Sequence, residues 1–393
     1  MSHIVEFSIS GLAGRKQAYA QKLNEDVNIF FGLNGSGKTS LLKIFHSAMS
    51  GDTDILRNVP FKHAEVKLFS VQANQILTCS IEQTISNSRR ELNLQNILFR
   101  EGISEGMRRD ILLSHRHNIQ KEIRWEVTPK KSKFRELRHS YLPISRPYLT
   151  KNSEHLPLSE EQLDLLFAEN LQGLWRRYST EILSNIRKVQ EDGLASILKT
   201  ILSANESNSA ANSVMDKPVE VETAYEQMRT FLSRQKAAVD ILGSLENFTQ
   251  RYAKDTRLQQ VVSDIHAVEK EIDQTMLPRQ NLQKLIQKMF SHKQIEFTDG
   301  DILVKTEEDE PLGLHSLSSG ERQLMLIFLE TFLAGESTIL IDEPEMSMHI
   351  DWQLELVNAM RQLNPKAQLI LATHSPEIMA EVDDDKVFRL NYE

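Results

Sequence analysis

The run Gly32-Leu33-Asn34-Gly35-Ser36-Gly37-Lys38-Thr39 combines three glycines, a lysine and two hydroxyls in a spacing suited to a polyphosphate. Glycines at 32, 35 and 37 let backbone N–H groups come close to phosphate oxygens, and a helix starting there adds a favourable dipole. Lys38 supplies positive charge for β- and γ-phosphates, and Thr39 a hydroxyl for Mg²⁺. Asn34, Ser36 and Ser40 complete the cradle. Far downstream, Asp342 and Glu343 end the apolar run Ile339-Leu340-Ile341. Two adjacent carboxylates at the tip of a buried strand are costly unless a cation is near. Asp342 suits Mg²⁺, and Glu343 suits a general base that polarises an attacking water. The alternative is that one of them caps the next turn. His374 follows Leu369-Ile370-Leu371-Ala372-Thr373 and is suited to contact a γ-phosphate and sense its loss, or else is structural. Leu317-Ser318-Ser319-Gly320-Glu321 precedes a helix, where small residues make an anion site. The same residues also suit a helix cap.

The elements that must hold these groups are readable in outline. Residues 3–9 and 27–32 read as strands, and Gly37 to about Ser50 as a helix with Leu41, Leu42, Ile44 and Phe45 inward. From Glu65 to Glu82 the pattern alternates, with Val66, Leu68 and Ser70 opposing Lys67 and Phe69. Residues 123–127 read as a strand, and Tyr141-Leu142-Pro143-Ile144 as a strand end. Residues 158–202 and 220–290 then change texture, rich in Leu, Glu, Gln, Lys and Arg at helical spacing. Leu258, Val262, Ile265, Val268, Ile272 and Met276 recur at steps of three and four, predicting amphipathic helices that pair as a short antiparallel hairpin. Ser203 to Ser213 reads as a polar loop, and Pro278 as the start of a new helix ending near Ser291. Gln294 to Val304 reads as a hairpin turning at Asp299-Gly300. A helix is expected from Ser319 to about Leu333, strands at 338–342 and 367–372, and a helix between them. The layout is sheet, helical insertion, sheet. Residues 1–150 and 292–393 are expected to form one head, with 151–291 as the insertion.

With 393 residues, 40% of them hydrophobic and 26% charged, the chain has ample material for a core and no sign of wholesale disorder. Its single cysteine, Cys79, excludes an intrachain disulfide and fits a reducing cytosol. No secretory signal begins the chain, and no apolar run approaches the roughly 20 residues that span a bilayer. A cytoplasmic, non-membrane-embedded protein is expected. The net charge of −9 makes no global case for nucleic acid. Between Ser86 and His155, however, 15 Lys and Arg face 8 Asp and Glu, including Arg89, Arg90, Arg108, Arg109, Lys130, Lys131 and Lys133. That segment is either a footprint for DNA or a solvated surface.

Through these motifs the chain resembles ABC-type ATPases, in particular the soluble SMC-like, RecF-like and OLD-like group. The resemblance covers roughly 1–80 and 312–393. Asn34 to Thr39 is similar to that group's phosphate loop, and Leu317 to Glu321 to its signature motif. Glu343-Pro344-Glu345-Met346-Ser347-Met348-His349 looks like the strand-end and D-loop segment of the OLD-like branch. Arg146 resembles an arginine common in that branch and is a candidate γ-phosphate or interface residue. The resemblance implies an α/β P-loop head with a mixed sheet, split by a helical, short coiled-coil-like insertion. It implies ATP and Mg²⁺, and hydrolysis of ATP to ADP and phosphate. Two heads would pair head to tail as a homodimer or larger homo-oligomer, with Ser318, Ser319 and Gly320 of one completing the other's site. His374 would be the switch histidine.

Some features depart from the group. Ser319 stands where transporter signatures usually carry glycine. The Q-loop glutamine is open among Gln72, Gln75 and Gln83. The sequence ends soon after His374, where OLD-type nucleases continue into a Toprim domain, so any nuclease is expected on another protein. Stand-alone AAA_15/AAA_21-type ATPases, such as the components of PARIS and Septu, imply control of a separate nuclease or toxin in bacterial anti-phage defence. The alternatives are a RecF-like DNA-repair ATPase that binds DNA directly, a transporter's nucleotide-binding subunit, and a nucleotide-gated scaffold. The long gap between Lys38 and Asp342 counts against the transporter, and Glu343 against a dead site.

Overall fold

The structure, a computed structural model, describes residues 2–71, 73–82, 124–129, 137–143, 159–202, 220–234, 242–290 and 292–390. They group into two units, one of Met1–Phe167 with His315–Glu393, the other Ala168–Leu314. Arg146, Gln72, Gln83, most of the basic segment and the 203–213 loop lie outside the described residues.

The first unit opens with β1 (His3–Ser10), β2 (Tyr19–Lys22), β3 (Val27–Phe31) and α1 (Lys38–Ser50). Then come β4 (His63–Ser70), β5 (Gln75–Glu82), β6 (Glu126–Thr128) and β7 (His139–Leu142). An antiparallel sheet runs in the order β2-β1-β4-β5-β6. The alternating stretch 65–82 is the paired strands β4 and β5, with Val66 opposite Cys79 and Leu68 opposite Leu77. Ala64, Val66 and Leu68 turn inward, as the period-2 pattern requires. The predicted inward residues of α1 (Leu41, Leu42, Ile44 and Phe45) are all fully buried. Phe7 of β1 meets Phe45 edge-on at a centroid distance of 5.0 Å and Phe30 of β3 at 5.9 Å. These rings tie sheet, helix and strand into one core.

The second unit takes most of α2 (Glu160–Leu202), then α3 (Val221–Arg234), α4 (Leu245–Tyr252) and α5 (Thr256–Met289). Val262, Ile265, Val268 and Ile272 of α5 are buried, as their spacing predicts. Thr200 of α2 donates a hydrogen bond to Asp264 Oδ2 of α5 at 2.9 Å. Pro278 does not open a helix; it lies inside α5. A proline removes the bond to the carbonyl four residues back, but Gln274 and Pro278 are both exposed, so water can satisfy that carbonyl. The strands β8 (Lys293–Phe297), β9 (Ile302–Thr306) and β10 (Pro311–Leu312) form a small antiparallel sheet. The expected turn at Asp299-Gly300 is present, closed by Thr298 N–H donating to Asp301 O at 2.9 Å. This sheet groups with the helices, so the sequence-based boundary between 291 and 292 falls inside the second unit. Side chains from the helices explain it. The Trp175 indole donates to Thr298 O at 2.8 Å, and Gln172 exchanges two 3.0 Å bonds with the backbone of Ile302.

The chain then returns to the first unit with α6 (Ser319–Leu333), β11 (Thr338–Asp342), α7 (Ile350–Leu363), β12 (Gln368–Thr373), the short α8 (Pro376–Met379) and β13 (Val387–Arg389). A second sheet, all parallel, runs β13-β3-β12-β11-β7. Strands β11 and β12 are buried throughout, which is why they read as unbroken apolar runs. Gln368 joins the two sheets. Its Oε1 accepts from Ile4 N at 2.9 Å, and its Nε2 donates to Ile4 O and Asn24 O at 2.8 Å each. A buried amide side chain thus acts as backbone between the first strand and one of the last.

Candidate nucleotide site

Parallel pairing decides where the chemistry meets. Thr373 pairs with Phe31, and Ala372 with Asp342, so β3, β12 and β11 end at the same sheet edge. Ligand sites of parallel sheets form at this carboxyl edge. The phosphate loop leaves β3 there, Asp342 and Glu343 leave β11, and His374 leaves β12.

The loop turns tightly. Ser36 N–H donates to Leu33 O at 3.1 Å. Gly37 has φ of 101°, and a Cβ on it would lie 3.0 Å from that of Ala13, so conformation and space both call for glycine. Lys38 is buried, its ammonium donating to Gly32 O at 2.7 Å and Leu33 O at 3.1 Å. A cavity of about 510 Å³ opens over the loop. Asn34, Gly35, Gly37, Lys38, Thr39 and Ser40 line it, with Ala13, Pro60 and Glu343. Ser36 is buried beneath, its hydroxyl without a hydrogen-bond partner among the described residues.

Asp342 is 1% exposed, and neither of its carboxylate oxygens accepts a well-formed hydrogen bond. Burial pushes its carboxyl up to about 6; the nearby Thr39 hydroxyl, Lys38 and Lys43 pull the other way, and Glu343 adds to the rise. An orphaned buried carboxylate next to a threonine hydroxyl is a hard-oxygen donor set that fits Mg²⁺. Among the described residues no group of three or more His, Cys, Asp or Glu side chains could hold a metal by itself.

Glu343 is held in an uncommon backbone conformation, φ 47°, with its N–H donating to Ala372 O at 2.7 Å. The positive φ turns the chain off the strand and leaves the carboxylate at the cavity. His374 is partly exposed, with Nδ1 3.8 Å from Glu343 Oε1 and 3.0 Å from Glu345 Oε1. Sequence reasoning assigned Glu345 no role. Its side chain is only 5% exposed, and Oε1 also accepts from Thr373 Oγ1 at 2.6 Å, His374 N at 2.8 Å and Ser375 N at 3.2 Å. The available signal was a third acid in Asp342-Glu343-Pro344-Glu345, which spacing alone cannot aim.

The signature residues are not brought to this cavity. Ser318, Ser319 and Gly320 start α6 and are not among its lining residues. Ser318 forms a full capping box: its hydroxyl accepts from Glu321 N at 3.3 Å, and Glu321 Oε2 accepts from Ser318 N at 2.6 Å. Within one chain these residues serve as the helix cap. Of the Q-loop candidates, Gln75 is exposed at the start of β5 and does not line the cavity.

The family model described as AAA_21, "AAA domain, putative AbiEii toxin, Type IV TA system", matches residues 27–380. The retron Vc95 probable ATPase of Vibrio cholerae serotype O1 biovar El Tor is 22% identical over 416 residues, covering 93% of this chain and 69% of that protein. The Septu protein PtuA of Bacillus thuringiensis is 41% identical over 44 residues, 11% of each chain. Among solved structures, the Smc head domain with an extended coiled coil bound to the C-terminal domain of ScpA, from Pyrococcus furiosus, is 12% identical. It covers 97% of this chain and 92% of its own, with a TM-score of 0.44. The Smc head domain with a coiled coil and joint from Pyrococcus yayanosii, also 12% identical, covers 99% and 95% with a TM-score of 0.41.

Proposed function

We propose that this chain, which belongs to the AAA_21 family of AAA domains, hydrolyses ATP at the cavity over residues 32–40, in paired heads that control a separate effector. One observation carries the hydrolytic reading. A buried Asp342, beside the Thr39 hydroxyl, and a cavity-lining Glu343 stand at the strand end next to the phosphate loop. A pure phosphate-binding scaffold has no use for that second carboxylate.

The residues divide the work. Backbone N–H groups of the loop and the Lys38 ammonium bind phosphate oxygens and hold the triphosphate in line. Thr39 and Asp342 would hold Mg²⁺, which supplies charge neutralisation for the phosphates when bound. Glu343 accepts the proton of the attacking water as that water's oxygen bonds to the γ-phosphorus. The bond from the γ-phosphorus to the β,γ-bridging oxygen breaks, and ADP and phosphate leave. His374, beside Glu343, is placed to read whether the γ-phosphate is present.

Pairing of heads is the reading that gives Ser318, Ser319 and Gly320 a ligand, since their own cavity does not include them. Exposed apolar side chains on the loop and beyond the strand end, Leu33, Met346 and Ile350, support a face that another protein covers. Control of an effector in bacterial defence rests on the named relatives. One is named a retron probable ATPase, and the other a Septu protein, Septu being one of the two anti-phage systems that the resemblance implied.

The test is ATP turnover and self-association of the purified chain and of Glu343→Gln. Loss of a general base lowers turnover by about 10²–10⁴-fold while ATP stays bound. The variant should then accumulate as ATP-bound pairs in size-exclusion chromatography with light scattering. Wild-type turnover in Glu343→Gln would remove Glu343 as the base. A stoichiometric protein co-purifying from the native host would support effector control; ATPase stimulation by duplex DNA with steep salt dependence would favour direct DNA binding instead.

A further inference from the structure

We propose that Glu345 is the positioning residue of the site, a buried carboxylate that sets the backbone, ring and tautomer of His374; this rests on the hydrolytic reading above. Four groups converge on one oxygen. Glu345 Oε1 accepts from the Thr373 hydroxyl at 2.6 Å, His374 N–H at 2.8 Å and Ser375 N–H at 3.2 Å, and His374 Nδ1 lies 3.0 Å away. All four lie on the three consecutive residues 373–375, so the carboxylate grips the end of β12 where it becomes the histidine-bearing turn. Its other oxygen, Oε2, is buried and has no hydrogen-bond partner among the described residues.

The consequence is chemical as well as mechanical. A carboxylate oxygen 3.0 Å from Nδ1 repels a lone pair there and attracts a proton, so the proton of the neutral ring is favoured on Nδ1. The ring's free nitrogen is then Nε2, the one able to meet a phosphate oxygen. When Nε2–H donates to an anionic phosphate the ring carries a positive charge, and Glu345 offsets it. Carboxylates behind metal-bound histidines fix tautomer and orientation in the same way, and their loss costs about 10- to 100-fold in activity. Glu343, at 3.8 Å from the same Nδ1, is farther away and faces the cavity, so it remains available as the base.

Glu345→Gln separates this role from simple support, because the amide keeps an acceptor for Thr373 and the backbone but loses the charge. The expected result is an unchanged melting temperature, an unchanged KM for ATP and a kcat lower by about 10- to 100-fold. In a His374→Ala background the same change should alter kcat by less than about twofold, because the two residues act as one unit. Full kcat in Glu345→Gln, or losses that multiply in the double variant, overturn the proposal. A second measurement needs no turnover. In ¹⁵N-histidine-labelled protein at about pH 8, where an ordinary imidazole is neutral, the His374 ring should show the Nδ1–H tautomer. The resonance is assigned by its disappearance in His374→Ala. Glu345→Leu, which removes the accepting oxygen, should release the ring towards Nε2–H, whereas Glu345→Gln should keep Nδ1–H; Nε2–H in the wild type overturns the proposal. If the chain turns over no ATP, the hydrolytic reading fails, while the ring tautomer still decides the role of Glu345.

Discussion

Gly320, at the start of α6, lies so close to Ser347 that a Cβ on it would sit 2.2 Å from the Ser347 carbonyl oxygen. Ser347 is itself in the left-handed region, φ 63°, and belongs to the segment that leaves β11 with Glu343 and Glu345. The start of α6 and the acid-bearing strand end are therefore in direct backbone contact. A move of one must displace the other.

That contact predicts that Gly320→Ala is destabilising without any ligand. Overpacking against backbone costs about 1–3 kcal/mol, because no flexible side chain can move aside. Thermal or urea unfolding of the isolated chain measures it, and an unchanged melting temperature would show that the contact relaxes freely.

Lys38→Ala should weaken ATP binding by about 10- to 100-fold, the loss expected for charge-assisted bonds to phosphate. Titration with a fluorescent ATP analogue gives the affinity directly. Undiminished affinity would mean that the loop is not the phosphate site.

Gln368→Leu tests the joint between the sheets. The substitution keeps an apolar volume but leaves the Ile4 N–H and C=O without their partner and takes from the Thr338 hydroxyl the nearer of its two acceptors. Buried groups orphaned in this way cost about 2–4 kcal/mol in sum. Equilibrium denaturation should show that loss, and a neutral result would mean that other groups take over those bonds.

A pH test follows from Asp26, just before β3. Burial opposes its ionisation, but the Val27 N–H and Lys386, 3.0 Å away, outweigh it and hold the carboxyl below the usual value. A lowered folded-state pKa contributes stability above the ordinary carboxylate range, and that stability is lost as pH falls through the depressed value. Lys386, bonded to Asp26 and Asp383, is shifted up, so its share is present below the ordinary lysine value and fades above it. The stability difference between wild type and Lys386→Met should therefore be largest from about pH 5 to 9 and shrink on the acid side. A difference that stays flat down to about pH 3 would mean the pair contributes nothing.

Much of this head was legible locally. Strand β3, the loop and α1 are contiguous, and glycines before a lysine and an apolar helical face mark them unambiguously. Asp342 and Glu343 were legible because an apolar run ending in two acids is hard to place otherwise. Glu345 was not: its burial depends on Thr373 and Ser375 from a different strand end. Pro278 misled because the rule that proline starts a helix is local, whereas the solvent exposure that lets α5 tolerate it is not.

The sequence by itself determined a strand–loop–helix segment of glycines and lysine suited to phosphate, which acids end a buried strand, and which helices are amphipathic. Each depends on neighbours a few residues away, through backbone conformation or periodicity. The tertiary structure alone decided the rest. Pairing of β3, β12 and β11 brings Lys38, Asp342 and His374 to one edge, although they are far apart in the chain. It also assigned the β8–β10 sheet to the helical unit, turned Gln368 into a link to Ile4, and closed Glu345 on His374. Those outcomes rest on burial and on partners for buried polar groups, and both belong to the packed chain as a whole.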